Sequence, residues 1–132
     1  MAFKISEETR NAQIDGIMSV IGAGTLEIRT GTQPANTSSV ATGTLLATMT
    51  IQNPAAVAAV SGSGVLTLPV SATAVAAGTM GWGRLKRSNG TAMIDGTVTL
   101  SGGGGDIITS VISTNVDDIV QIISFQLTAP AL

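Results

Sequence analysis

Residues 78–100 read GTMGWGRLKRSNGTAMIDGTVTL, and this stretch predicts two neighbouring β-strands joined by a tight turn. Ser88-Asn89-Gly90 is the turn signal, because an Asn-Gly pair accepts the positive φ angles of a short hairpin. The turn separates a strand over residues 78–86, which carries the only tryptophan, from a second strand over residues 91–100. We interpret Asp95-Gly96 as a kink or bulge in that second strand, with Asp95 as a turn residue.

Short strand patterns continue on both sides of this hairpin. Residues 25–30 alternate apolar and polar side chains with period two, and residues 44–51 place Leu46, Thr48 and Thr50 on one face. Further strands are predicted over residues 65–70, 107–112 and 119–127. Seven or eight short strands, with turn signals roughly every 8 to 12 residues, indicate an all-β sandwich or barrel.

The first 22 residues have a helical pattern instead. Ser6 is a candidate N-cap, and Glu7 and Glu8 place negative charge in the first turn. An apolar stripe with helical spacing follows, formed by Ile14, Ile17, Met18 and Ile21. We therefore divide the chain into an N-terminal helical arm, 1-22, and a β-sandwich domain, 23-132. The stripe either packs on its own domain or lies on a neighbouring subunit.

The composition excludes several classes of function. Among 132 residues, only 11% are charged, the net charge is −2, and cysteine, histidine and tyrosine are absent. Disulfides, thiolate or histidine metal sites and a Ser-His-Asp triad therefore cannot form. Such a weak net charge does not favour binding to nucleic acid or to an anionic membrane. In addition, no apolar run is long enough to span a bilayer. We expect no enzyme activity and no cofactor.

Arg84, Lys86 and Arg87 form a small basic cluster near Trp82. We interpret it as the solvated, charged end of a strand, with contact to an acidic protein or to nucleic acid as alternatives. The composition, poor in charge and rich in small residues, suits permanent association with other subunits.

Several segments resemble small structural proteins of tailed-bacteriophage virions. These segments are residues 26–34 (LEIRTGTQP), 41–47 (ATGTLLA), 78–84 (GTMGWGR), 89–96 (NGTAMIDG) and 123–128 (ISFQLT). The resemblance spans roughly residues 24 to 128. It implies an antiparallel jelly-roll-like β-sandwich of the capsid decoration or cement type, located on the capsid surface of the virion and assembled in the host cytoplasm.

This resemblance also implies partners. They are the major capsid protein and further copies of the chain, in a homo-oligomer that is a dimer or a trimer. The candidate anchors for these contacts are Ile14, Ile17, Met18, Ile21, Arg29, Trp82 and Arg84. Two alternatives stay open, namely a tail, collar or fibre component and a carbohydrate-binding module.

Overall fold

The computed structural model of the protein describes residues 4–129 and shows a β-rich fold with one helix. Residues 1–3 of the predicted arm and residues 130–132 of the predicted β-domain lie outside the described residues. The elements, in chain order, are α1 (Glu7–Ile21), β1 (Thr25–Thr30), β2 (Leu45–Thr50), β3 (Ser63–Val65), β4 (Ser71–Thr73), β5 (Gly78–Lys86), β6 (Ala92–Thr99), β7 (Ile107–Thr109), β8 (Ser113–Thr114) and β9 (Ile119–Thr128). The prediction of an all-β fold with a short N-terminal helix is confirmed at this level.

The strands form a single curled sheet in the order β2-β1-β5-β6-β7-β9-β3, with β4 paired to β9 and β8 to β5. Seven of the eight strand pairings are antiparallel, but β6 and β7 run parallel, with Val98 opposite Ile107. The predicted antiparallel sheet is therefore a mixed one. A hydrogen bond from Val75 N to Leu46 O, 2.8 Å long, brings the segment after β4 against β2 and helps the sheet curl into a half-barrel.

The long strand β9 has partners along both of its edges. β7 pairs with one edge, and β3 and β4 pair with the other. Between β3 and β4 the pairing continues through Leu66 N to Phe125 O and Ile122 N to Val70 O, both 2.9 Å. Residues 63–73 therefore accompany β9 over almost its whole length.

The hairpin between β5 and β6 confirms the predicted turn. Arg87 N donates to Thr91 O at 2.9 Å, and Gly90 has a φ of 91°. The predicted interruption at Asp95-Gly96 is wrong, because both residues stay in register within β6, and the register shift lies next to the turn instead. Gly96 allows a close approach, since a Cβ there would lie 3.1 Å from the Asp106 Cβ.

The helix begins and ends where the sequence predicted. Ser6 Oγ accepts a hydrogen bond from Thr9 N at 3.1 Å, and α1 ends before Gly22. Its buried residues are part of the main hydrophobic core. Gly64 of β3 permits this packing, because a Cβ at that position would lie only 2.6 Å from the Ile14 Cγ2. The helix thus covers the inward face of β3 in its own chain.

Candidate protein-interaction surfaces

The charged residues of the chain are segregated from most of its exposed apolar residues. Residues 30–83, 107–116 and 119–129 contain no Asp, Glu, Lys or Arg. Nine of the ten large apolar side chains exposed among residues 4–129 lie in these three stretches. An uncharged surface with exposed valine and isoleucine is the type of surface that contacts other proteins.

The first such surface is the valine loop, which we define as residues 54–60 (PAAVAAV). In this loop the smaller apolar side chains are buried and the larger ones are exposed, although the larger ones gain more by leaving water. The small side chains of Ala55, Ala56 and Ala59 are buried in the core, whereas Val57 and Val60 are 77% and 70% exposed. Because a valine gains more than an alanine by leaving water, this arrangement places the larger apolar groups where only a partner can bury them.

The valine loop is firmly attached to the rest of the chain. Ala59 N donates to the Asp15 carboxylate of α1 at 2.7 Å, and Thr67 N donates to Ala55 O at 2.7 Å. Val60 and Ser63 exchange two backbone hydrogen bonds of 3.0 Å. A cleft of about 300 Å³ separates the loop from α1. The two exposed valines are therefore held in a defined position beside a concave surface.

The second surface is the β9 outer face, which we define as Ile119, Gln121 and Ile123 of β9 with Ser71 and Thr73 of β4. Ile119 and Ile123 are 67% and 48% exposed, and Gln121 between them is also exposed. Ser71 is paired with Gln121 and Thr73 with Ile119, so these residues share one face of the sheet. This face has apolar and uncharged polar side chains only.

A row of charged residues crosses three strands elsewhere in the sheet. Glu27 of β1 is opposite Arg84 of β5, which is opposite Asp95 of β6. Arg84 Nε lies 2.7 Å from Asp95 Oδ1, and Arg84 Nη2 lies 3.0 Å from Asp95 Oδ2. Both side chains are buried, so Arg84 is not the solvated end of a strand and Asp95 is not a turn residue. The hydrogen bond to Asp95 raises the pKa of the Arg84 guanidinium, although burial opposes this shift.

Trp82 lies beneath the same arginine. The Arg84 guanidinium carbon is 5.2 Å from the centre of the indole ring, within cation–π range. The Arg84 Nη1 also donates to Ser39 O at 2.9 Å, which attaches the loop between β1 and β2 to this face. Trp82 is fully buried, and its Nε1 has no hydrogen-bond partner among the described residues.

The predicted anchors therefore fall into two groups. Arg29, Trp82 and Arg84 lie together on β1 and β5, with Arg29 half-buried and the other two buried. Three residues of the helical stripe are in the core, namely Ile14, Met18 and Ile21. Ile17 alone stays half-exposed, in a groove of about 450 Å³ that Leu127 also lines.

Sequence reasoning missed the residues that the structure exposes. The sequence of residues 119–123 (IVQII) does indicate this exposure, because apolar side chains occur at both odd and even positions of the strand. Successive side chains point to opposite faces of a sheet, so one set of these apolar residues must face outward. In the valine loop the signal was weaker, because PAAVAAV does not show which of its apolar residues are buried.

The described residues contain no group of three or more His, Cys, Asp or Glu side chains placed to hold a metal ion. Among those residues, no helix has the length and apolar character required to cross a membrane. Comparison of the chain with protein-family models, with curated proteins and with solved structures finds no match. A function must therefore be argued from the chain's own surfaces.

Proposed function

We propose that this protein is a structural component of a tailed-bacteriophage virion, a capsid decoration or cement protein. It forms a homo-oligomer, a dimer or a trimer, and stabilises the head shell by binding the major capsid protein on the capsid surface. The observation that carries the proposal is the valine loop, in which Val57 and Val60 are exposed while Ala55, Ala56 and Ala59 are buried.

The valine loop has the properties that a shell-binding element requires. Its hydrogen bonds to Asp15, Ser63 and Thr67 fix its shape before binding, which lowers the entropy lost on association. Fully burying one valine side chain contributes about 1.5 kcal/mol or more. An oligomer that presents several such loops to a symmetric shell binds through all of them, and its avidity exceeds the affinity of one loop.

A jelly-roll-like sandwich is part of this proposal, since it is the architecture that the resemblance implies. The β-rich curled sheet, with β9 paired along both edges and α1 covering β3, supports it at the level of fold class. The parallel pairing of β6 with β7 is a departure from a purely antiparallel jelly roll.

The test is co-sedimentation of the purified chain with expanded empty shells of the phage that encodes it. We expect saturable binding by the wild type and loss of binding by the double variant Val57→Asp/Val60→Asp, whose charges would have to be buried at the contact. Val40→Asp is the matched control, because Val40 is 88% exposed and lies outside both surfaces, so its binding should match the wild type.

Three outcomes would contradict the proposal. If the wild-type protein does not bind shells but binds purified tails, it is a tail component. Binding to a glycan array without binding to shells would identify a carbohydrate-binding module. If the double variant and the wild type bind shells equally well, the valine loop is not part of the contact with the shell.

A further inference from the structure

Two buried N–H groups on one face of the sheet have no hydrogen-bond partner among the described residues. They are Arg29 Nε of β1 and Trp82 Nε1 of β5, and no other buried side-chain nitrogen or oxygen in residues 4–129 lacks a partner. The two residues lie directly opposite each other, so their side chains leave the same face as neighbours, with Cβ atoms roughly 5 Å apart. We call this pair the Arg29–Trp82 corner. Buried donors are nearly always paired in folded proteins, so two unpaired donors on neighbouring side chains indicate a site for an acceptor.

The hydrogen bonds that Arg29 does make are long. Its Nη1 lies 3.4 Å from Gly43 O, and its Nη2 lies 3.5 Å from Glu27 Oε1. Ordinary N–H···O bonds have donor–acceptor distances of roughly 2.7–3.2 Å. Only 18% of the Arg29 side chain is exposed, so water can replace little of what these contacts lack. By contrast, Arg84 lies 2.7 Å and 3.0 Å from the two Asp95 carboxylate oxygens. Arg29 is thus a largely buried cation whose described contacts are all weak.

The charges on this face do not balance. Its three cations and two carboxylates give a net charge of +1, and they are Arg29, Arg84, Lys86, Glu27 and Asp95. Both oxygens of Asp95 bind Arg84. Glu27 is shared between Arg29 and Lys86, whose Nζ is the closer at 3.2 Å. The loop between β1 and β2, which covers this face, contains no charged residue. One further carboxylate would neutralise the face and give Arg29 a close partner.

We propose that the Arg29–Trp82 corner binds a carboxylate group. An ionised carboxylate has two oxygens and about four lone-pair sites, so one group can accept from Arg29 and from the indole N–H at the same time. Hydrogen bonds between a guanidinium and a carboxylate are short and strong because both groups are charged. A water molecule could satisfy the two N–H groups, but it would leave the positive charge uncompensated. This site is separate from the valine loop, and it does not require a shell.

The loop between β1 and β2 controls access to the corner. Both unpaired N–H groups are buried, so a carboxylate reaches them only if part of this loop moves. The loop is attached to the face by the 2.9 Å bond from Arg84 Nη1 to Ser39 O and, more weakly, by the 3.4 Å contact between Arg29 Nη1 and Gly43 O. A carboxylate that replaces Gly43 O as the acceptor therefore exchanges a weak contact for a charge-assisted one.

The test follows the indole N–H signal of Trp82 by NMR, which needs no assignment because the chain has one tryptophan. Sodium acetate is the probe, and sodium chloride at equal ionic strength is the reference. We expect a saturable downfield shift of the indole proton with acetate only. Arg29→Met should bind acetate roughly tenfold more weakly or worse, since it loses the charged donor. Arg87→Met is the matched control, because Arg87 is exposed and its loss changes the net charge equally, so acetate binding should match the wild type.

Two carboxylate probes distinguish the source of the ligand. A capped tripeptide with one central glutamate carries only a side-chain carboxylate. A shift with both acetate and this peptide supports an acidic side chain of a partner protein, whereas a shift with acetate alone supports a small free acid. If Arg29→Met does not fold, Arg29→Lys retains the charge but lacks the planar fork, and it should still weaken acetate binding.

Three results would overturn the proposal. The first is an indole signal that responds equally to acetate and chloride. The second is an acetate shift of full size and affinity in the folded Arg29 variants. The third is transfer of magnetisation from water to the indole proton without any response to acetate, since a water molecule would then be the acceptor.

Discussion

Arg84 and Asp95 are joined by two parallel hydrogen bonds across β5 and β6, with both side chains buried. This bidentate geometry satisfies both carboxylate oxygens and fixes the plane of the guanidinium. The same guanidinium stacks on Trp82 and holds Ser39 O, so one side chain connects the sheet to the loop that covers it. The pairing of Arg84 with Asp95 thus fixes the side chains on the face of the sheet that lies opposite the main core.

Removal of one member of this pair should destabilise the protein strongly. For Asp95→Asn we expect the free energy of unfolding to fall by about 3 kcal/mol, because the arginine loses its buried counter-charge. Chemical denaturation measures the change. Asp117→Asn is the matched control, since Asp117 is exposed and has a φ of 73° that asparagine tolerates, and its effect should stay within about 0.5 kcal/mol.

Replacement of both members together should cost less than the sum of the single changes. In Arg84→Met/Asp95→Leu no buried charge is left unpaired, so stability should recover most of the single-variant loss. A double-mutant cycle by denaturation gives the coupling energy. Additive single effects would contradict a direct pairing.

The contribution of the ion pair to the free energy of unfolding should not change with pH in the neutral and mildly alkaline range. The folded pKa of Arg84 is raised, so its contribution is fully present below the ordinary pKa and is lost only as the pH rises through the folded value. Stability curves of the wild type and Arg84→Met should run parallel from about pH 7 to about pH 9. A difference that shrinks within that range would show that another titrating group controls the pair.

The fluorescence of Trp82 should show whether the loop between β1 and β2 stays in place over this face of the sheet. Because its ring is fully buried, its fluorescence should be shifted to short wavelength and resist quenching by acrylamide. Arg84→Lys keeps the charge but loses the bidentate geometry and the fork that reaches Ser39, so quenching should increase. Lys86→Arg is the control, since Lys86 contacts Glu27 rather than the indole. Equal quenching in all three proteins would mean that Arg84 does not hold the loop closed.

Two glycine-to-alanine changes should have opposite effects on stability. A Cβ at Gly81 would overlap the backbone carbonyl of Gly31, so Gly81→Ala must displace β5 or the loop after β1 and should lower the melting temperature markedly. A Cβ at Gly16 of α1 meets nothing within 4 Å, so Gly16→Ala should stabilise the protein by about 0.5–1 kcal/mol through helix propensity. Calorimetry on the two variants separates these effects. A stable Gly81→Ala protein would contradict the close approach.

Asp15 should control the order of the valine loop. Asp15→Ala removes the acceptor of the Ala59 N–H bond, and we expect a loss of about 1–3 kcal/mol in local stability with faster amide exchange at Ala59. Asp15→Asn is the control, because its side-chain oxygen still accepts the bond. Unchanged exchange in Asp15→Ala would show that the loop is fixed by its other contacts.

Local patterns in the sequence predicted several elements of the fold. Ser6 begins α1, the alternation of residues 25–30 gives β1, and Asn89-Gly90 forms the turn between β5 and β6. In each case the deciding interactions lie within a few residues of each other along the chain. Such interactions leave a pattern that can be read without the tertiary structure.

Long-range contacts decided the features that were not predicted. Leu46 was placed on one face with Thr48 and Thr50, yet Leu46 and Ala47 are both buried, because a register shift between β1 and β2 inserts one extra residue. Asp95 looked like a turn residue because it precedes glycine, but Arg84 is its partner from the opposite strand. Neither the shift nor the pairing leaves a mark in the local sequence.

The position of β9 in the sheet has a consequence for biogenesis. β3, β4 and β7 are all synthesised before β9, yet each of them finds its principal partner there. A nascent chain therefore carries unpaired edges until residues 119–128 emerge, and these edges need protection from premature contacts. The pairing of these three strands therefore cannot be completed until residues 119–128 have been synthesised.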